Sequence, residues 1–180
     1  MDRALSTPLF RRLLGTRFDT LPPQLRALHA IDTQATWRGE ASILRGTNPL
    51  ARLCAAMTGL PPSRHAVPTT IVFSIHDDAE TWARDFGGAR LRSRCTARDG
   101  FLHERLGPMT FRFALDARDD EIHWRTAGVR LLGVLPLPAR WFADVRCRER
   151  EHAGRYEFLV EAAMPVIGRL IRYEGWLVPA

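Results

Sequence analysis

Lysine is missing from this chain: all 26 basic side chains are arginine, and Asn48 is the single asparagine in 180 residues. Such a bias reflects GC-rich coding more than a surface selected to hold phosphate. The net charge of +6 is therefore a weak sign of an anionic partner. Acidic residues are interspersed with the arginines, and no nucleic-acid module accompanies them, so no nucleic-acid partner is expected.

Cysteine is scarce as well. Cys54, Cys95 and Cys147 are odd in number and far apart, which excludes a disulfide framework and suits a reducing compartment. The stretch MDRALSTPLFRRLLG lacks the uninterrupted apolar core of a secretory signal. No apolar run approaches the roughly 20 residues needed to cross a bilayer. These absences predict a cytoplasmic protein without a membrane span. A hydrophobic content of 46% is ordinary for a globular chain. The length predicts one domain over 1–180, with helices and a first strand in 1–60 and a strand meander in 67–178.

Motif-borne chemistry is also lacking. No GxGxxG follows a strand, and no HxxxH, CxxC, HExxH or GxSxG occurs, so no dinucleotide, metal or other cofactor is expected. His103 and His123 fall on strands separated by a third. They would stand about 9–10 Å apart, too far to share a metal. No cysteine has a local partner to activate it.

What is present begins with helix punctuation. Ser6 or Thr7 can cap a helix at PLFRRLL, with Pro8 in its first turn and Gly15 after its end. LPPQLRALHAI reads as a second helix from Pro22 or Pro23. In NPLARLCAAMTGLPP, Asn48 caps, Pro49 starts and Gly59 stops. Leu50, Leu53, Cys54 and Met57 form an apolar stripe, and Leu50, Leu53 and Met57 are expected to be buried against a sheet.

From Val67 the period becomes two, and turns follow at short intervals. Opposed residues of an antiparallel pair share a face, so each turn predicts which neighbours point together. Gly87-Gly88 sets Arg84 opposite Leu91 and Trp82 opposite Ser93. Asp99-Gly100 sets Cys95 opposite Glu104, and Gly107-Pro108 sets Glu104 opposite Phe111. Turns at Asp78-Ala79, Arg118-Asp119 and Ile167-Gly168 pair Phe73 with Arg84, Phe113 with Trp124, and Ala162 with Tyr173. Ala153-Gly154 sets Glu149 opposite Phe158.

One face then stays apolar across successive strands, through Ile71, Phe73, Trp82, Phe86, Leu91, Leu102, Phe111, Phe113, Ile122 and Trp124. Arg90, Arg92, Arg94, Arg105, Arg112 and Arg125 fall on the other, which makes the arginine comb in ARLRSRCTAR the solvent side of a meander. TWRGEASIL alternates likewise, with Trp37, Ala41 and Ile43 on one side. Trp176 falls on the outer face. GVRLLGVLPLPARWF reads as an edge strand leading into a loop over the barrel mouth. The expected fold is mainly β (α+β). An antiparallel meander of about nine or ten strands forms a barrel or half-barrel, with short N-terminal helices and one helix after the first strand.

Several stretches resemble one bacterial family, domain of unknown function 4166: LFRRLLGTRFDTLPPQLRALH, RGTNPLARLCAAMTGLPP, WARDFGGARLRSR, ERLGPMTFRFAL, GVRLLGVLPLP and RYEFLVEAAMPVIGRLIRYEGWL. Leu135 is a local departure, an extra residue before Pro136-Leu137-Pro138. The family name implies no assigned activity. Relatives resembling the tail of larger proteins with a dehydrogenase-like domain imply an accessory or substrate-binding role beside an oxidoreductase.

The polar residues on the apolar face are the informative ones: Arg84, Ser93, Cys95, Glu104, Thr126, Glu149 and Tyr173. A buried charge persists only with a partner, water or a ligand. The plainer reading makes Arg84 and Glu104 an ion pair or rim residues. The functional reading lets Arg84, beside Glu104, hold the head group of a small apolar or amphipathic ligand, with Trp82, Phe111, Trp124 and Tyr173 along its body. Two intervening strand spacings predict a cavity between Arg84 and Glu104 rather than contact. An enzyme of the cyclase, isomerase or hydrolase sort would draw on Glu104, Glu149 and Tyr173. A filled barrel would instead be a structural or interaction domain.

Overall fold

A computed structural model describes residues 7–180; Ser6, one candidate cap, lies outside them. Pro8 occupies the N-cap position of the first helix, α1 (Leu9–Leu14), and no side chain caps it, Thr7 included. A 3-10 turn over Gly15–Thr20 and a second helix, α2 (Pro23–His29), follow.

The sheet begins with β1 (Gln34–Arg45), which leads into α3 (Pro49–Thr58). A meander follows: β2 (Arg64–His76), β3 (Ala79–Phe86), β4 (Ala89–Arg98), β5 (Phe101–Leu106), β6 (Met109–Arg118) and β7 (Glu121–Leu131). Next come β8 (Leu135–Leu137), a 3-10 turn at Ala139–Phe142, β9 (Asp144–His152), β10 (Arg155–Met164) and β11 (Gly168–Pro179). All pairings are antiparallel, in the order β6-β5-β4-β3-β2-β1-β11-β10-β9-β7-β8, and a further β6–β7 pairing closes the sheet into a barrel of ten strands with β8 outside. β7 runs along β6 for its whole length. Its other edge pairs first with β9, through Glu121–Arg125, and then with β8, through Val129–Leu131.

Closure gives the apolar face its partner: the sheet packs on itself. Trp37, Ala41, Ile43, Phe73, Trp82, Phe86, Leu102, Phe113, Ile122 and Trp124 are buried inside. Arg90, Arg92, Arg94, Arg105, Arg112 and Arg125 are exposed, so the comb is the wet side of β4 and its neighbours. The pairings set by Gly87-Gly88, Asp99-Gly100, Gly107-Pro108 and Ala153-Gly154 occur as expected.

Three other turns are displaced. Phe73 pairs with Trp82 rather than Arg84, Phe113 with Thr126 rather than Trp124, and Val160 rather than Ala162 with Tyr173. The β2–β3 and β6–β7 turns centre on Asp77-Asp78 and Asp119-Asp120. Asp77, Asp119 and Asp120 have φ of +54°, +53° and +60°, which aspartate tolerates better than the alanine or arginine of the expected turns. Each turn moves by one residue and each partner by two, so no side chain changes face.

The expected burial of Leu50, Leu53 and Met57 is wrong. They are 53%, 58% and 61% exposed, while Ala51 and Ala55 are fully buried. Asn48 does cap the helix, accepting from the Leu50 N–H at 2.9 Å. Arg45 ties the helix to the end of β1 by donating to the Arg52 carbonyl at 3.0 Å. The helix lies against β11 on its alanines because their small side chains permit close approach, which leaves the leucine stripe outward. Leu53→Ala should thus cost under about 1 kcal/mol, whereas Ala55→Leu should cost about 1–3 kcal/mol by overpacking. Urea denaturation of both variants checks the ranking, and the reverse order would return the stripe to the core.

Candidate functional site

The barrel interior is plugged at one end and open at the other. Phe10 of α1 enters the plugged end, stacks on His29 of α2 at 3.6 Å between centroids, and lies 6.1 Å from the Trp82 ring. Beyond this aromatic layer is an inner chamber of about 60 Å³, walled by Trp82, Trp124, Glu149, Tyr156 and Tyr173 among others. An outer, apolar chamber of about 270 Å³ continues toward α3 and the turns at the open end, lined by Phe111, Met109, Leu137, Phe142 and Met164 among others. Arg84, Glu104 and Tyr173 border both chambers.

Arg84 and Glu104 meet directly, correcting the expectation of a cavity between them. Arg84 Nη2 lies 3.3 Å from Glu104 Oε1, with side chains 7% and 14% exposed. Curvature of the sheet brings β3 and β5 together across β4. Arg84 also donates to Ser93 Oγ at 2.8 Å, and its guanidinium carbon stands 5.0 Å from the Trp82 ring. Burial works against the Arg84 charge, but Tyr173 and Glu104 outweigh it and hold the guanidinium above its ordinary value. Burial raises the Tyr173 phenol despite the pull of Arg84, so at neutral pH it offers an O–H. The floor of the outer chamber therefore presents a cation, a carboxylate and a neutral hydroxyl.

A second polar group lies deeper. His29 Nε2 and Glu149 Oε2 are 2.5 Å apart, both fully buried, and His29 Nδ1 has no hydrogen-bond partner among the described residues. Burial and then Glu149 raise the Tyr156 phenol. Glu80 accepts from Trp82 Nε1 at 3.0 Å, and burial raises its carboxyl above the ordinary value.

The remaining sequence-derived candidates separate by role. Trp82, Trp124 and Glu149 wall the inner chamber, and Phe111 the outer. Cys95 is fully buried, and its thiol is pushed well up by burial. Thr126 is committed to structure, donating to the Val145 carbonyl at 2.7 Å. Trp176 lies half-buried on the outer face under the Arg155 guanidinium, 4.2 Å from its ring centre. Among the described residues no three His, Cys, Asp or Glu side chains gather as a metal would need.

Four polar residues of the interior were missing from the sequence reading. Glu80 shares the parity of Trp82 and Arg84, Thr69 that of Ile71 and Phe73, and Tyr156 that of Phe158, so alternation alone would have found these three. His29 ends a helix, and no periodicity signals its contact with Glu149.

The fold and its cavity thus define a small closed β-barrel, stoppered by helices at one end and hollow at the other. The chain belongs to the family described as Domain of unknown function (DUF4166), whose model matches residues 21–177. No curated protein matches it. No helix among the described residues is long and apolar enough to cross a membrane.

The interior ions lead to two predictions. Arg84→Met, which strands the Glu104 charge, should destabilise by about 3–5 kcal/mol, and adding Glu104→Leu should recover most of that loss. A double-mutant cycle in urea reads the coupling, and additive losses would mean the two charges are independent. Glu80 has its carboxyl raised above 4.5 in the folded state. Its contribution is complete below the unfolded value and is lost as pH rises through the folded one. Glu80→Gln keeps an acceptor for Trp82 and removes the loss. The variant should exceed the parent in stability at neutral pH, with the gap closing below about 4.5. A pH-independent gap would assign the effect to packing.

Proposed function

We propose that this barrel binds a small amphipathic ligand, its apolar body in the outer chamber and its polar end at Arg84, Glu104 and Tyr173. One observation carries this reading: an apolar chamber open at one end has a desolvated arginine, a carboxylate and a phenol at its floor. A buried guanidinium favours an anionic or strongly accepting head group, and apolar walls favour an aliphatic or ring-bearing body. The chamber volume of about 270 Å³ lies just under the usual range for organic ligands, which suits a slender molecule. In a chain paired with an oxidoreductase, such a site would present or hold its substrate.

A fluorescent fatty acid, displaced from the purified protein, tests the reading. Arg84→Ala should weaken binding at least about tenfold, the scale of one charge-assisted hydrogen bond. Glu104→Gln should also change the affinity. Unaltered affinity in both folded variants would remove the proposal. Cys54 is half-buried and lines the outer chamber. Occupancy should slow its reaction with maleimide, and equal rates with and without probe would place the probe elsewhere.

Glu149 favours a second reading. In this reading Glu149, a carboxylate in the inner chamber against His29 and beside Tyr156, would take a proton from a substrate reaching that chamber in cyclase, isomerase or hydrolase chemistry. Glu149→Gln would then abolish turnover without weakening binding.

A further inference from the structure

The open end of the barrel carries an apolar rim that nothing in the described residues covers. Leu53 and Met57 on α3, Leu132 and Val134 between β7 and β8, Trp141 after β8, and Val166 between β10 and β11 are between 40% and 98% exposed. Met57 and Trp141 line the outer chamber themselves, and the others flank residues that do: Cys54 beside Leu53, Leu131 beside Leu132 and Val134, and Met164 and Leu170 on either side of Val166.

Charge divides the molecule end from end. The segments forming this mouth, 44–60, 105–110, 127–143 and 162–173, contain no aspartate or glutamate. They do carry Arg52, Arg130, Arg140 and Arg169, all exposed. Among the described residues none of these four pairs with a carboxylate. Arg45 and Arg52 line a shallow groove beside Leu53. Acids adjoin these segments: Glu104, Asp144, Glu161 and Glu174 stand one residue beyond them, Glu161 and Glu174 paired with Arg172, and Asp85 near the β3–β4 turn is engaged by the Gly88 N–H at 2.6 Å. Three hairpin turns of the plugged end carry acids instead, at Asp77-Asp78, Asp99 and Asp119-Asp120, while the Ala153-Gly154 turn there carries none.

We infer that the open end docks on the surface of an anionic lipid bilayer, with the apolar tips entering the interface and the arginines meeting the lipid phosphates. Charge complementarity selects this occupant: a mouth on which exposed arginines outnumber acids meets a surface bearing anions. Shape agrees. Apolar side chains that protrude singly from turn tips and a helix face need no complementary contour in acyl chains, whereas a protein partner would have to supply one. Trp141 sits at the rim, where an indole prefers the boundary between headgroups and acyl chains. Docking takes its purpose from the ligand reading above, because an amphipathic molecule leaving the bilayer would enter the same mouth. Its geometry stands without that reading.

Flotation with phosphatidylcholine vesicles, with and without about a third phosphatidylglycerol, provides the test. The full chain should float with the anionic vesicles, stay behind with the neutral ones, and be released by salt. Val134→Asp with Val166→Asp should lower the bound fraction at least about tenfold, because two charges placed at the tips would have to enter the interface. Both positions are turn tips, and the φ of +67° at Val166 suits aspartate, so unchanged near-ultraviolet circular dichroism is the control for folding. A wild-type chain that ignores anionic vesicles, or a double variant that floats as well as the parent, would overturn the inference. So would a wild-type dimer in sedimentation that the double variant makes monomeric, since the rim would then join two copies of the chain. Displacement of the soluble fluorescent probe without vesicles is read in parallel, so loss of docking and loss of the cavity reading register separately.

Discussion

Closure of the sheet through β7 is the constraint on which the other features depend. An antiparallel sheet with one apolar face must cover that face. Here β6, β7 and β9 meet so that the sheet covers itself. Ten strands enclose more volume than their inward side chains fill. At one end the surplus is taken up by Phe10, His29 and the tryptophans near them. At the other, α3 and Phe142 contribute to the wall without filling the space, and the surplus remains as the chambers.

The polar interior follows from the same arrangement. A residue on an inward position cannot turn to solvent, so each polar one must find its partner inside the barrel. Arg84 finds Ser93 and Glu104 across neighbouring strands, Glu80 finds Trp82 on its own strand, and Glu149 finds His29 on a helix. The Arg84 group borders open space in both chambers. Glu80 is covered by its surroundings, and the cost of that cover appears in its raised carboxyl.

Much of the barrel could be read from alternation. Face assignment survives a turn misplaced by one residue because each partner then shifts by two, which is the side-chain period. Phe73, Phe113 and Tyr173 therefore kept their faces although their partners changed. The same alternation placed Arg84 and Glu104 inside but not in contact, because contact depends on curvature, which a flat pairing diagram lacks. The outward stripe of α3 was illegible for a different reason. Leu50, Leu53 and Met57 have the spacing of a buried face, and nothing in that spacing tells a face that meets the sheet from one left bare. Ala51 and Ala55 mark the buried side, but alanine is at home on any face of a helix. His29 gave no signal, since a helix-terminal histidine meets Glu149 only through the folded barrel.

β8 differs from the other strands in what its loss would cost. It is three residues long, includes Pro136, which has no N–H to donate, and pairs only with the last part of β7. The ten-strand closure does not pass through it. Amide protection should therefore be lowest in this segment, and its opening is an event of much smaller free energy than global unfolding. In the ligand-binding reading proposed above, exchange between the outer chamber and its surroundings would then have a different barrier from the one that preserves the fold. Substitutions in the 132–138 segment would alter the rate of that exchange while the barrel keeps its stability.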